Sequence, residues 1–300
     1  FYIKFFEKEY EYLRCQKLIK NFKESKKLNL KLFHYRNIIL DTHTGVFLNS
    51  LNFKIKFSSL KDPTFIPHTF LTKATPKKLN LNPQKKYYFI SYLNAAYFHN
   101  WFDGLIYLYY LTKVEEDFSV LIPAFCPDNI KKILKNFEDD FEFIFVNERF
   151  IHLQEAIKFK HISWTPRHSP VITPDVSTYF KSKILKNPPN IKTYDKLFIG
   201  RKNTNKRKII NDKEILETFK KHGFKVLFLE DFSITEQAYL FNRAKQIAGL
   251  HGAGFTNLIF CKKGIKVIEL QNFVNVTTFF LLSKQLDLEY RYILPNEFDL

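Results

Sequence analysis

The sequence predicts an α/β protein with two Rossmann-like domains that face each other across a cleft. Residues 87–146 and 196–286 each alternate short apolar runs, typical of buried strands, with longer runs of helical periodicity. Between them, His161–Pro174 contains three prolines and breaks both periodicities. Because strand–helix alternation is typical of a parallel sheet, we expect one domain over residues 1–174 and a second over residues 175–300.

The elements before the first alternation are less regular. Apolar residues at helical spacing predict a helix over residues 1–25. Asn37–Leu40 and Val46–Leu48 flank a turn-rich segment and predict a hairpin. Phe53–Phe57 alternates apolar residues with lysine, as an exposed strand does, and the proline-containing stretch 61–84 predicts a loop.

The two alternations then follow in order. The first predicts strands at 87–92, 120–124 and 142–146, with helices at 97–113 and 127–137. The second predicts strands at 196–199, 225–229, 247–250 and 266–270, with helices at 176–185, 212–222, 235–244, 255–260 and 277–286. Ligands of open parallel sheets bind beyond the carboxyl ends of the strands, so the loops after residues 92, 199, 250 and 270 line the predicted cleft.

Composition and charge narrow the class of protein. An apolar fraction of 45% indicates a folded chain, and no run approaches the ~18 to 20 apolar residues of a membrane span. Three cysteines without metal-ligand spacing, and no secretory signal, favour the cytoplasm. The net charge, 47 − 30 = +17, is compatible with an anionic membrane surface, an anionic substrate, nucleic acid or a merely solvated surface.

The loop after the strand at 247–250 is the first candidate binding site. It reads His251-Gly252-Ala253-Gly254 and enters a predicted helix, so its backbone amides and the helix dipole favour a phosphate. Glycine allows close approach of a ligand and positive φ angles. His251 adds a side-chain donor, and Asn257 lies one turn into the helix. A tight turn without any ligand is the alternative.

Other charged residues follow neighbouring strands. Arg201 comes directly after the strand at 196–199, and its planar guanidinium suits a diphosphate; Lys206 and Arg207 are secondary candidates in the same basic loop. Glu269 ends the strand after the glycine loop, where a carboxylate can bind ribose hydroxyls. The alternatives are a solvated basic loop and a solvated carboxylate.

A third group of residues opens the aromatic helix at 97–113. His99 and Asp103 are four residues apart and share one helix face. A carboxylate there could act as a general base that deprotonates the hydroxyl of an acceptor substrate. A core histidine and an ordinary first-turn carboxylate are the alternatives.

The run from LFIGRK to HGAGFTNLIFCKKGIKVIEL resembles the C-terminal signature of glycosyltransferase family 61, and NAAYFHNWFDGL resembles its histidine-containing helix. The resemblance covers Tyr87 to Phe273. It implies a GT-B fold and inverting transfer from a nucleotide sugar, typically UDP-linked, with neither metal nor cofactor. It places Arg201, His251, Gly252, Ala253 and Glu269 at the donor nucleotide, and Asp103 at the base.

The resemblance further implies a role in capsule or lipopolysaccharide synthesis. The partners would be a nucleotide-sugar donor and a glycan or glycolipid acceptor, bound by the acceptor-side domain 1–174. The basic surface would suit a cytoplasmic protein on the anionic inner membrane. The absence of an Asp-x-Asp motif agrees with metal-free chemistry. Two other functions stay open: a basic surface or nucleic-acid-binding protein, although no nucleic-acid module is recognisable, and a nucleotide binder without turnover.

Overall fold

Two units of α/β structure divide the chain, and each has a sheet of its own. The computed structural model describes residues 32–43, 45–49, 77, 79, 81–91, 93, 96–159, 172–202, 211–271 and 278–293. The predicted helix at 1–25, the strand at 53–57 and most of the connector at 161–174 lie outside the described residues. The domain boundary at residue 174 and the facing of two domains across a cleft stay predictions.

The first unit contains a six-stranded sheet in the order β2-β1-β6-β3-β4-β5. Its strands are β1 Leu32–Asp41, β2 Val46–Asn49, β3 Lys86–Phe89, β4 Phe118–Pro123, β5 Phe143–Val146 and β6 Phe150–Phe159. Helix α1 runs through Tyr97–His99, a π-helical turn Asn100–Leu105 and Ile106–Leu111, and helix α2 spans Asp128–Leu134 with a 3₁₀ turn Lys135–Phe137. The predicted strand–helix–strand–helix–strand order of this unit is therefore confirmed.

The sheet of the first unit is mixed, although the sequence predicted a parallel one. β3, β4, β5 and the end of β6 are parallel, but β1 pairs antiparallel with β2 and β6. The β1–β2 pairing confirms the predicted hairpin. Strand β6 was not predicted because its alternation breaks: Ile151 and Leu153 are buried, and then the adjacent Ala156 and Ile157 are both buried.

The second unit contains a five-stranded sheet in which every pair of neighbours is parallel. Its strands are β7 Lys196–Gly200, β8 Lys225–Phe228, β9 Gln246–Leu250, β10 Lys266–Leu270 and β11 Glu289–Ile293. Its α-helices are α3 Pro174–Ile184, α4 Asp212–Lys221, α5 Ile234–Arg243 and α6 Thr278–Gln285. These positions confirm the predicted elements, and β11 is a strand that the sequence did not predict.

Local signals explain where the helices of the second unit begin and end. A capping box is present at the start of α5: Glu236 N–H donates to Ser233 Oγ over 3.3 Å, and Ser233 N–H donates to Glu236 Oε2 over 2.7 Å. Gly223, with φ at 81°, adopts the left-handed conformation that ends α4. Among the described residues, no helix is long and apolar enough to cross a membrane.

The strand order of the second sheet contains a switch point between β7 and β9. Read from the β8 edge, the strands follow the doubly wound order 2-1-3-4-5, so the chain leaves β7 and β9 towards opposite edges of the sheet. Ligands of such sheets bind at this switch point, beyond the carboxyl ends of the two strands. The two strands approach closely there, since a Cβ on Gly249 would lie 2.8 Å from the Ile199 carbonyl oxygen.

In the first unit, Lys158 should make the free energy of unfolding depend on pH. Its amine donates to the Gly45 carbonyl over 2.8 Å and lies over the Phe47 ring, and desolvation lowers its pKa from 10.5 to about 8. Because the unfolded chain keeps this proton up to its higher pKa, wild-type stability should rise between about pH 8 and 10.5. We expect a rise of about 1–3 kcal/mol, discounted for partial exposure of the residue.

The comparison is with Lys158→Met, which keeps an apolar stem of similar length. Urea unfolding of both proteins from pH 7 to 10.5 isolates this group, because other alkaline titrations are shared. The difference in unfolding free energy between the two proteins should change by that amount across the window. Parallel curves across the window would contradict the assignment.

Candidate active site

The glycine loop lies at the switch point of the second sheet. β9 ends at Leu250, and a 3₁₀ helix, Ala253–Phe260, begins three residues later. Phe255 N–H donates to the Gly252 carbonyl over 3.0 Å, which closes the first turn. The amides of Ala253 and Gly254 precede that bond, and the first amides of a helix have no acceptor within it. They are the donors that this loop can offer to an anion.

The helix behind this loop is held by burial. Phe255, Leu258 and Phe260 are fully buried. Each such side chain contributes roughly 1.5–3 kcal/mol through removal of apolar surface from water. The helix that follows the loop is therefore anchored in the core. The predicted transition from strand to short helix is confirmed.

The two glycines of the loop have a steric role within the protein, and the close approach of a ligand that they would allow stays a prediction. Gly252 has φ at 170°, which is extended backbone, and Gly254 is not among the glycines with positive φ, so the expectation of positive φ angles is wrong. The constraint is steric: a Cβ on Gly252 would collide with the guanidinium of Arg201. A Cβ on Gly254 would lie 2.9 Å from the Leu229 Cδ1 atom.

Arg201 contacts the glycine loop directly. Its predicted contact with a diphosphate stays a prediction. Its Nη2 atom donates to the carbonyl of His251 and lies against Gly252. The guanidinium is planar and carries further N–H donors. One positive group and the first amides of a helix thus occur together at one end of the sheet. Lys206 and Arg207 lie outside the described residues, so their predicted contacts stay predictions.

Asn257 lies inside the fold, beneath the loop. Its side chain is fully buried, and Nδ2 donates to the Gly254 carbonyl over 3.1 Å and to Gln237 Oε1 over 3.0 Å. Gln237 in turn donates to the carbonyls of Leu229 and Phe232. The structure therefore brings Asn257 to the loop, and its amide links the loop to helix α5.

Glu269 is fully buried and is bonded within the protein through both oxygens. Oε1 lies 2.5 Å from His251 Nδ1, while Oε2 accepts from Gln271 Nε2 over 3.0 Å and from the Tyr290 hydroxyl. The sequence analysis missed Gln271 and Tyr290. Tyr290 lies on the unpredicted strand β11, whose alternating residues Glu289–Ile293 were the only available signal.

His99 and Asp103 form a pair at the start of helix α1. His99 Nδ1 lies 2.5 Å from Asp103 Oδ2, and the side chains are 30% and 12% exposed. Asp103 belongs to the π-helical turn, a feature that is frequent at functional sites. The Phe98 ring packs against both His99 and Phe102 and restricts the imidazole. The predicted sharing of one helix face is confirmed.

No group of three or more His, Cys, Asp or Glu residues is placed to hold a metal ion within the described ranges. The metal independence inferred from the sequence stays a prediction, because this observation concerns only those ranges.

Comparison with known proteins identifies the class of enzyme to which the chain belongs. The family model Glycosyltransferase 61 matches residues 97–268, more than half of the chain, and the match includes His99, Asp103, Arg201 and the glycine loop. The protein is a glycosyltransferase. It belongs to glycosyltransferase family 61, which implies a sugar donor and an acceptor as its partners. No curated protein matches the chain.

Asn257 provides a stability test of the base beneath the loop. Asn257→Ala removes a fully buried amide and leaves two partly buried oxygens without their donor, so it should lower the unfolding free energy by about 1–3 kcal/mol. Asn190→Ala, at an exposed position outside the helices and strands, is the matched control and should cost less than about 0.5 kcal/mol. Equal losses for the two variants in urea unfolding would show that the buried amide does not support the loop.

Proposed function

We propose that the protein transfers a sugar from a nucleotide donor, most simply a UDP-sugar, to an acceptor hydroxyl with inversion at the anomeric carbon. One observation supports this above the others: Arg201 and the amides of Ala253 and Gly254 occur together at the switch point of a doubly wound sheet. Positive groups fixed at this position suit a diphosphate that gains charge as it leaves.

In the proposed reaction the acceptor oxygen attacks the anomeric carbon from the face opposite the diphosphate. The new carbon–oxygen bond forms as the bond to the phosphate oxygen breaks, and that oxygen takes the electron pair. The nucleoside diphosphate leaves with one additional negative charge, which Arg201 and the loop amides stabilise. The acceptor hydroxyl loses its proton to a base.

The proposed base is the pair His99–Asp103. The sequence analysis favoured Asp103 itself, but its Oδ2 is already bonded to His99 Nδ1 and its side chain is the less exposed of the two. We therefore assign proton abstraction to His99, with Asp103 stabilising the imidazolium that forms. A carboxylate and a histidine act in this way in hydrolytic triads.

The proposal also covers the class of acceptor and the location of the protein in the cell. The family resemblance suggests an acceptor of capsule or lipopolysaccharide synthesis, which is either a free glycan or a glycolipid. The net charge of +17 would favour residence on the anionic inner face of a membrane. A protein that merely binds nucleic acid would instead lose affinity for polynucleotides steeply with salt and show no preference for nucleoside diphosphates.

The donor site is tested through Gly252 and Arg201. Gly252→Ala should keep the fold, since its extended backbone accepts alanine, yet it displaces the guanidinium of Arg201. Calorimetric titration with UDP should show affinity about tenfold lower or worse for both Gly252→Ala and Arg201→Ala. Lys202→Ala is the matched control, because its amine pairs with Asp231 at 2.6 Å. If all three variants bind UDP as the wild type does, the proposed site is wrong.

The base assignment is tested with His99→Gln and Asp103→Asn over a panel of nucleotide sugars. Both variants should lower kcat about a hundredfold or more, while UDP affinity changes little. A small effect of His99→Gln beside a large effect of Asp103→Asn would return the role of base to Asp103. Unchanged turnover in both variants would place the base elsewhere.

A further inference from the structure

Behind the glycine loop, four side chains form one hydrogen-bonded network. Glu269 is its centre: one oxygen is bonded to His251 Nδ1, and the other accepts from Gln271 and Tyr290. The carboxylate is fully buried, whereas the His251 side chain is 13% exposed. Glu269 is therefore surrounded by its hydrogen-bonding partners. One of these partners, His251, belongs to the glycine loop and connects the carboxylate to it.

The network suits an ionised carboxylate in the protein interior. A buried charge is costly unless hydrogen bonds satisfy it, and three partners surround this one. Burial, and then the negative charge of Glu269, raise the pKa of Tyr290 well above its usual value of 10. Its hydroxyl accordingly keeps its hydrogen and remains a donor to Glu269 across the working pH range.

His251 is held from several directions. Glu269 binds Nδ1 of its ring, Arg201 donates to its carbonyl, and the Phe279 ring lies 5.3 Å from the imidazole. A carboxylate at Nδ1 accepts the hydrogen of that nitrogen and fixes the tautomer and the orientation of the ring. When both ring nitrogens carry a hydrogen, Nε2 is a charged donor of the kind that binds phosphate oxygens.

We propose that Glu269 is a positioning residue that acts on the donor diphosphate through His251, and that Tyr290 and Gln271 support it, in place of a direct contact with the ribose. The inference rests on the proposed nucleotide site and specifies its chemistry. Removal of the carboxylate should weaken diphosphate binding only while the imidazole is present.

A double-mutant cycle with UDP as the probe tests this coupling. Dissociation constants are measured by calorimetry for the wild type, Glu269→Gln, His251→Ala and the double variant. We expect Glu269→Gln to weaken UDP about tenfold in the wild type and less than about twofold in His251→Ala, because the group through which it acts is then missing. Glu289→Gln, an exposed carboxylate on β11, is the matched control and should change nothing.

Direct binding of the ribose makes different predictions. The loss caused by Glu269→Gln would then persist in His251→Ala. The wild type would also prefer UDP to 2′-deoxy-UDP and 3′-deoxy-UDP, and Glu269→Gln would abolish that preference. Either result would overturn the inference and leave the nucleotide site intact. A wild type that binds neither UDP nor GDP would overturn the proposed function, and the inference with it.

Two further measurements test the inference even if the Glu269→Gln variant does not fold. Tyr290→Phe keeps the ring, removes the hydroxyl that donates to Glu269, and should weaken UDP about two- to fivefold. This loss should likewise disappear in His251→Ala. In the unliganded wild type, nitrogen NMR of ¹⁵N-labelled histidine should show the hydrogen of His251 on Nδ1. A hydrogen on Nε2 alone would contradict the proposed contact.

Discussion

The contact between the Arg201 guanidinium and the carbonyl of His251 joins the two strands of the switch point beyond their ends. It places a fixed positive charge beside the first amides of the 3₁₀ helix, so the site does not rely on the helix dipole alone. It also requires that nothing larger than a hydrogen project from Gly252. The charge, the glycine and the strand order are thus parts of one constraint.

That constraint extends into the interior. The loop stands on buried aromatic and aliphatic side chains, Asn257 links it to helix α5, and the Glu269 network holds the imidazole of His251. Polar groups buried in this way are costly unless every partner is present, so the supporting layer should be rigid. A preorganised site of this kind would suit the proposed leaving diphosphate, because it need not rearrange during the reaction.

The sequence predicted most of the second unit because its signals are local. Periodicity located β10 at Lys266–Leu270, and it located helix α5 to within one residue at each end. Strand β6 was missed because its alternation breaks at Ala156 and Ile157, where β3 pairs with it on the side opposite β1, and β11 was missed because none of its residues is fully buried. Tyr290 went unrecognised for the same reason. The steric role of Gly252 depends on Arg201, 51 positions earlier, a relation that no local pattern contains.

The most direct test of the account is a crystal structure of the protein with UDP bound. The account predicts the diphosphate within hydrogen-bonding distance of the Ala253 and Gly254 amides, the Arg201 guanidinium and Nε2 of His251, with Glu269 still bonded to Nδ1. A diphosphate bound elsewhere, with the glycine loop unoccupied, would contradict it.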